Sequence, residues 1–208
     1  MLELDLPAIA ATLPDDDVPR WFVVPQAADE AETQVWATAM AEILTPDFAD
    51  PDDPESARHL HAVLESACRQ PRVEPFDQRL LYLPYGASTG LVVDLLIVPA
   101  EDSEPSAQAA HTLLLGPMAD GAEPVLDDQE RVIGMRRLRV VSEPGTAYSP
   151  EGSAPFATNP AVFWSVQRRT VAGRPADVVA TGASPDVELA ALGMFALAEV
   201  LQDDALFE

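Results

Sequence analysis

The strongest constraint on the fold lies in residues 79–98, which read RLLYLPYGASTGLVVDLLIV. Two runs rich in Leu, Val, Ile and Tyr flank the turn-like sequence GASTG, a pattern typical of a β-hairpin with a longer loop. The second run, LVVDLLIV, is apolar at odd and even positions alike, so we expect both faces of this strand to be covered. It is therefore predicted to be a central strand of a sheet.

One charged residue, Asp94, interrupts this most apolar strand. A buried carboxylate needs either a partner or a shifted pKa. Pairing with one of the arginines is the simplest arrangement. A general-base role would require a neighbouring nucleophile or a substrate pocket, and the sequence displays neither.

The first predicted helix runs from Ala27 to Leu44 and is followed by Pro46, which we expect to end it. Acidic residues in its first turn complement the helix dipole. Apolar residues recur with helical spacing, so one stripe of this helix is predicted to face the core. Its members are Val35, Trp36, Ala39, Met40, Ile43 and Leu44.

Two further helices are predicted with start signals. Asp53 is placed as the N-cap of a helix over residues 54–69, and Ser184 as the N-cap of a helix over residues 185–202; each is followed by a proline at the first helical position. The last helix has a wide apolar arc, but Phe195 falls on its polar side. We expect Phe195 either to pack under the chain's last residues or to anchor a dimer or another partner.

Residues 111–115 form a short apolar run that is predicted to be a strand. Strand patterns follow at residues 131–143, at residues 161–173 and around Val179. No helical pattern separates the last three, so an antiparallel meander is expected. The predicted fold class is α+β, with an antiparallel sheet packed against about three α-helices, and residues 1–208 are taken as a single globular domain.

Arginines are concentrated in two of these strands. All 12 basic residues of the chain are arginines, and seven of them lie between residues 131 and 174. A cluster of guanidinium groups suits the bidentate binding of a carboxylate or phosphate, whereas the alternative is pairing with the chain's own Asp and Glu side chains. The candidate binding residues in the strands are Arg136, Arg137, Arg139, Arg168 and Arg169.

A long connection, residues 143–160, joins the two arginine-bearing strands and contains four prolines. Long loops without secondary structure inside compact domains often serve as lids or binding loops. Tyr148 and Phe156 are its candidate binding residues. The alternative is a connection whose prolines only limit the entropy of the unfolded chain.

The charge of the chain excludes some classes of partner. Its 35 acidic and 12 basic residues give a formal net charge of −23, which disfavours nucleic acids and anionic membranes. The single cysteine, Cys68, forms no intramolecular disulfide, and we expect neither a metal nor a cofactor. A cytoplasmic location is expected, since no run of apolar residues approaches the length of a membrane span.

Two hypotheses about function remain. The first is a non-catalytic binding or adaptor protein that holds an acidic protein or peptide through the arginine-bearing sheet and the proline-rich loop, with a homodimer through the C-terminal helix as a further arrangement. The second is a small-ligand-binding protein or enzyme with a pocket between sheet and helices. In that case Asp94, His111 and Tyr148 are the titratable candidates.

Overall fold

The computed structural model has an α+β fold with a seven-stranded antiparallel sheet, as the sequence predicts. Contacts divide the chain into two compact units, Met1–Asp94 and Leu95–Glu208, and the division falls inside one strand. That the chain is a single domain stays a prediction. The structure describes residues 21–27, 29–50, 52–72, 74–76, 78–84, 90–100, 111–141, 145–147, 156–158 and 160–201.

The first unit combines two helices with strands in the order β1-β2-β3. Strands β1 and β2 are antiparallel, with Phe22 opposite Leu81. The strand β3 continues into the second unit, and both of its faces are largely buried. The elements are β1 (Trp21–Val23), α1 (Glu30–Phe48), α2 (Pro54–Arg69), β2 (Gln78–Tyr82) and β3 (Leu91–Pro99).

Both helices of the first unit contribute to one apolar core. Three residues of α2, Leu60, Leu64 and Ala67, are buried in this core. Asp53 accepts a hydrogen bond from the backbone N–H of Glu55 at 2.9 Å, so the predicted N-cap is confirmed. The buried members of the core are Val24, Ala37, Leu44, Phe48, Leu60, Leu64, Ala67, Leu81 and Leu83.

The prediction that Pro46 ends the first helix was wrong. The helix α1 continues to Phe48, whose buried ring packs edge to face against Phe22 at a centroid distance of 5.8 Å. A proline removes one backbone donor, and close to the end of a helix this loss is offset by packing. Here the Thr45 hydroxyl also donates to the carbonyl of Ala41 at 2.6 Å.

The predicted apolar stripe of α1 was wrong in part. Leu44 is buried, but Val35, Ala39 and Ile43 are exposed. Because apolar residues extend over more of the helix than the side that meets the core, the sequence pattern did not specify which side is buried. The buried side consists of Thr33, Ala37, Leu44 and Phe48.

The second unit has strands in the order β3-β9-β8-β5-β4 and a helix on the sheet. The meander is confirmed, because β5 pairs antiparallel with β8 and β8 with β9. The remaining elements are β4 (Glu123–Leu126), β5 (Val132–Val140), β6 (Gly145–Ala147), β7 (Phe156–Thr158), β8 (Ala161–Val171), β9 (Arg174–Ser184) and α3 (Val187–Val200).

Residues 111–115 form a helix and not the predicted strand, and a 3-10 turn, Gly116–Met118, follows directly. We call these residues the 111–118 segment. Periodicity does not separate strand from helix in a run of only five residues. The buried positions His111 and Leu115 are four residues apart, as expected for one face of a helix.

The connection at residues 143–160 contains regular structure, contrary to the expectation of a structureless loop. Strands β6 and β7 form an antiparallel ribbon in which Phe156 lies opposite Ala147. Tyr148 lies outside the described residues. At the base of the connection, the N–H of Val141 donates to the carbonyl of Pro160 at 2.8 Å.

The last helix begins two residues later than predicted. Asp186, and not Ser184, is the N-cap, because its side chain accepts a hydrogen bond from the N–H of Glu188 at 2.8 Å. Ser184 ends β9, and its hydroxyl accepts from the N–H of Asp186 at 3.0 Å. The strand therefore leads into the helix through one tight turn.

Candidate functional site

The register of β5 and β8 decides which arginines share a face of the sheet. Arg137 lies opposite Trp164, and Arg136 lies opposite Ser165. Directly opposite residues share a face, and successive residues along a strand alternate between faces. The candidate arginines therefore form two sets, with Arg137, Arg139 and Arg168 on one face and Arg136 and Arg169 on the other.

Arg168 forms an internal ion pair with Asp177 on β9. Its Nε donates to Asp177 Oδ1 at 2.7 Å, and its Nη2 donates to Oδ2 at 3.1 Å. His111 Nε2 lies 2.9 Å from the same Oδ1 atom, and both His111 and Asp177 are buried. Arg168 therefore follows the alternative interpretation of the arginine cluster, in which an arginine pairs with a carboxylate of its own chain.

Asp177 keeps its charge inside this cluster. Burial alone would raise its pKa, but the hydrogen bonds from His111 and Arg168 outweigh burial and hold the pKa below its usual value. The negative carboxylate compensates the half-buried guanidinium of Arg168 and orients the imidazole. The arrangement links β8, β9 and the 111–118 segment.

Arg136 and Arg169 lie on the face that carries α3. The guanidinium carbon of Arg136 is 4.0 Å from the ring centroid of Phe195, a cation–π geometry. Burial lowers the pKa of Arg136, and the negative charge of Glu123 acts in the opposite direction. Arg169 Nη2 donates to Gln167 Oε1 at 2.6 Å. Both arginines thus contact their own chain.

Arg137 and Arg139 differ from the other candidates. Among the residues that the structure describes, neither forms a hydrogen bond or an ion pair through its side chain. The guanidinium of Arg137 lies against Gly121, at a place where a Cβ atom would collide with its Nη1 and lie 3.1 Å from its Cζ. Gly121 also has a φ of 72°, which favours glycine.

Apolar and aromatic side chains surround these two arginines. Trp164 is directly opposite Arg137, Val162 is opposite Arg139, and Thr181 continues the row on β9. All of them are at least partly exposed. We call this area the Arg137 surface, and it consists of Met135, Arg137, Arg139, Val162, Trp164 and Thr181.

Sequence reasoning selected the arginines but missed Trp164 and Gly121. The strand pairing that brings Trp164 next to Arg137 depends on register, which the two separate strand patterns do not specify. Alternation along residues 161–173 would have placed Trp164 and Arg168 on one face. No sequence signal indicates the contact between Gly121 and Arg137.

Asp94 pairs with Arg79, an arginine outside the predicted cluster. Arg79 Nε donates to Asp94 Oδ1 at 2.6 Å, and Nη2 donates to Oδ2 at 3.0 Å. The remaining donors of Arg79 reach the carbonyls of Ala67, Gln70 and Pro71. The predicted pairing with an arginine is confirmed, and it ties β2 and β3 to the C-terminal end of α2.

Of the other titratable candidates, only His111 lies within the described part of the chain. His111 contacts Asp177. Burial raises the pKa of the Cys68 thiol, which disfavours a reactive thiolate. In the same described ranges, no group of three or more His, Cys, Asp or Glu side chains has the arrangement of a metal site.

No model of a protein family, no curated protein and no solved structure matches this chain. The geometry alone therefore carries the argument about function. None of the helices in the described ranges has the length and apolar character needed to cross a bilayer.

Proposed function

We propose that the chain is a non-catalytic binding protein that holds a short acidic segment of a partner protein or peptide on the Arg137 surface. The observation that carries this proposal is the position of Arg137 and Arg139 on one sheet face, opposite Trp164 and Val162. Their guanidinium groups have no ion pair within the described residues, although the chain contains 35 acidic residues.

The spacing of the two arginines favours an extended partner. Side chains two residues apart on a strand are about 7 Å apart, which matches alternate residues of another extended segment. Carboxylates at those positions would each receive a guanidinium fork, and apolar contacts with Trp164 and Val162 would flank them. Gly121 supports the proposal because its lack of a side chain leaves room for the guanidinium of Arg137.

The net charge favours a short segment over a large acidic domain. At −23 the protein repels an anionic partner over long distances, so attraction is confined to the neighbourhood of the two arginines. The connection at residues 143–160 supplies a second contact in this proposal. Its base, at Val141 and Pro160, adjoins the pair formed by Arg139 and Val162.

The test uses a labelled peptide of alternating Glu and Val residues, (Glu-Val)4, and measures fluorescence anisotropy with the full-length protein at moderate salt. We expect the double variant Arg137→Glu, Arg139→Glu to lose binding and the double variant Arg58→Glu, Arg174→Glu to retain most of it. Both change the net charge equally, and Arg58 and Arg174 are exposed. Equal loss in both variants, or no binding by the wild type, would reject the proposal.

A homodimer through α3 is the second partner arrangement that we propose. Leu192 and Phe195 are both exposed on this helix, with Phe195 48% accessible. Sedimentation equilibrium of the wild type and of Phe195→Gln tests it, since only a dimer through α3 would dissociate in the variant. The cytoplasm is the proposed location, because a chain with one cysteine needs no oxidising compartment.

A further inference from the structure

An apolar ridge lies on the outer side of α1, in the first unit. Val35 is 71% exposed and Ile43 is 65% exposed, and Ala39 between them is exposed as well. Spacings of four residues place the three side chains along one side of the helix. We call Val35, Ala39 and Ile43 the Val35 ridge.

The core of the first unit does not account for this ridge. The opposite side of α1 is occupied, with Ala37, Leu44 and Phe48 buried in the core. Rotating the helix to bury the ridge would expose those three residues. Apolar side chains that a helix exposes on the side away from its core often mark an interface.

The charge around the ridge indicates what kind of surface covers it. The helix α1 contains no lysine or arginine, and it carries Glu30, Glu32, Glu42 and Asp47. Glu32 precedes Val35 by three residues and Glu42 follows Ala39 by three, so one carboxylate adjoins the N-terminal end of the ridge and another adjoins its centre. Within the described residues the carboxylate of Glu42 forms no ion pair. An apolar ridge beside carboxylates is complementary to an apolar stripe flanked by cations.

We infer that the Val35 ridge is a docking site for a basic amphipathic helix of a partner protein. Val35 and Ile43 are about 12 Å apart along the helix axis, so the partner presents apolar residues over about two turns, with Lys or Arg beside them. The small side chain of Ala39 at the centre allows the two helices to approach closely. This inference does not depend on the proposed function, which concerns the second unit and an acidic partner.

The probe is a labelled 14-residue helical peptide of Leu and Lys, with the leucines on one face. A second peptide of the same composition has its leucines distributed around the helix. Fluorescence anisotropy with the full-length protein measures both. We expect the first peptide to bind more tightly, because both have the same charge and only the first presents an apolar stripe to the ridge.

The decisive variant is Val35→Gln, Ile43→Gln, which removes the apolar contact and leaves the net charge unchanged. We expect it to weaken binding of the amphipathic peptide at least about tenfold. Leu113→Gln is the matched control, since Leu113 is 81% exposed on a different element and its replacement should leave binding unchanged. Glu42→Gln should weaken binding as well, and more strongly at low salt.

Three outcomes would overturn the inference. If the wild type and the Val35→Gln, Ile43→Gln variant bind the amphipathic peptide with equal affinity, the binding comes only from attraction between opposite net charges. Self-association of the wild type that disappears in this variant would identify a second copy of the chain as the occupant. A clear fall in its melting temperature without peptide would mean that the chain itself covers the ridge.

Discussion

Arg79 and Asp94 form a buried, bidentate ion pair, with Nε to Oδ1 at 2.6 Å and Nη2 to Oδ2 at 3.0 Å. The same guanidinium donates to three carbonyls at and beyond the C-terminal end of α2. All five N–H donors of Arg79 are therefore used. This satisfied network explains how a charged pair is accommodated in an apolar strand.

Removing one partner of this pair should destabilise the first unit strongly. Asp94→Asn leaves a buried guanidinium without its counter-charge, and we expect a loss of about 3–5 kcal/mol in the free energy of unfolding, measured in urea. The double variant Arg79→Met, Asp94→Leu should lose less free energy of unfolding than the summed losses of Arg79→Met and Asp94→Leu measured separately. Arg58→Met, at an exposed ion pair with Glu55, is the control and should change little. Additive losses would contradict the coupling.

The cluster around Asp177 should make the free energy of unfolding depend on pH in the acidic range. Hydrogen bonds from His111 and Arg168 lower its folded-state pKa below the ordinary value of 3.8 in spite of burial. A carboxyl group with a lowered folded-state pKa stabilises the fold above its unfolded-state pKa, and the contribution disappears as the pH falls through the folded-state value. Stability from this group should therefore decline below about pH 4.

The measurement compares urea unfolding of the wild type and Asp177→Asn at neutral pH and at about pH 3. The wild type should be the more stable protein at neutral pH, and the difference should shrink in acid. The other carboxylates are common to both proteins, so they cancel in the comparison. A difference that is constant with pH would show that Asp177 does not titrate as proposed.

Gly134 permits the close approach of β5 and β8. A Cβ atom at this position would collide with the carbonyl oxygen of Val166 and lie 2.9 Å from the Cα of Gln167. Because the obstacle is backbone, relief requires strand displacement, and Gly134→Ala should cost about 1–3 kcal/mol.

Gly173→Ala is the control for Gly134→Ala. Gly173 has nothing within 4 Å of an added Cβ, and its φ of 73° adds only local strain of roughly 1 kcal/mol. Chemical denaturation of both variants measures the two costs. Similar losses would mean that crowding between the strands is not the cause at Gly134.

The elements with strong patterns were predictable. The helix α2 was predicted from its start signals, Asp53 followed by a proline, and the meander strands were predicted from their strand patterns. The predictions were wrong where packing opposed a local sequence signal or where that signal was ambiguous. Pro46 is a helix breaker, but burial of Phe48 extends α1 past it, and the run at residues 111–115 is too short to show a period.

The candidate site was predictable only as a set of residue types. Alternation indicates which arginines of one strand share a face. Which arginines of the two strands share it, and which side chains lie beside them, follows from register between distant strands. Arg168 is near Asp177 because β8 and β9 pair at those positions. Such ion-pair partners are brought together by the pairing of strands. The sequence alone therefore did not distinguish arginines that pair within the chain, such as Arg168, from Arg137 and Arg139.

The contact between Arg136 and Phe195 connects β5 to α3 and yields a last prediction. The guanidinium carbon lies 4.0 Å from the ring centroid, and such contacts contribute about 0.5–1 kcal/mol at partly exposed sites. In a double-mutant cycle, Arg136→Met and Phe195→Leu keep much of the apolar packing and remove the cation or the ring. We expect a coupling energy in that range, measured by urea unfolding at several protein concentrations.

The concentration series separates this contact from dimerisation. A contact within one chain gives a coupling energy that is independent of protein concentration, whereas a dimer through α3 makes the stability of the wild type rise with concentration. A coupling energy near zero would mean that Arg136 only packs beside the ring. In that case Phe195, at 48% exposure, would have no stabilising contact with the cation, which would strengthen the proposed role of α3 as an interface.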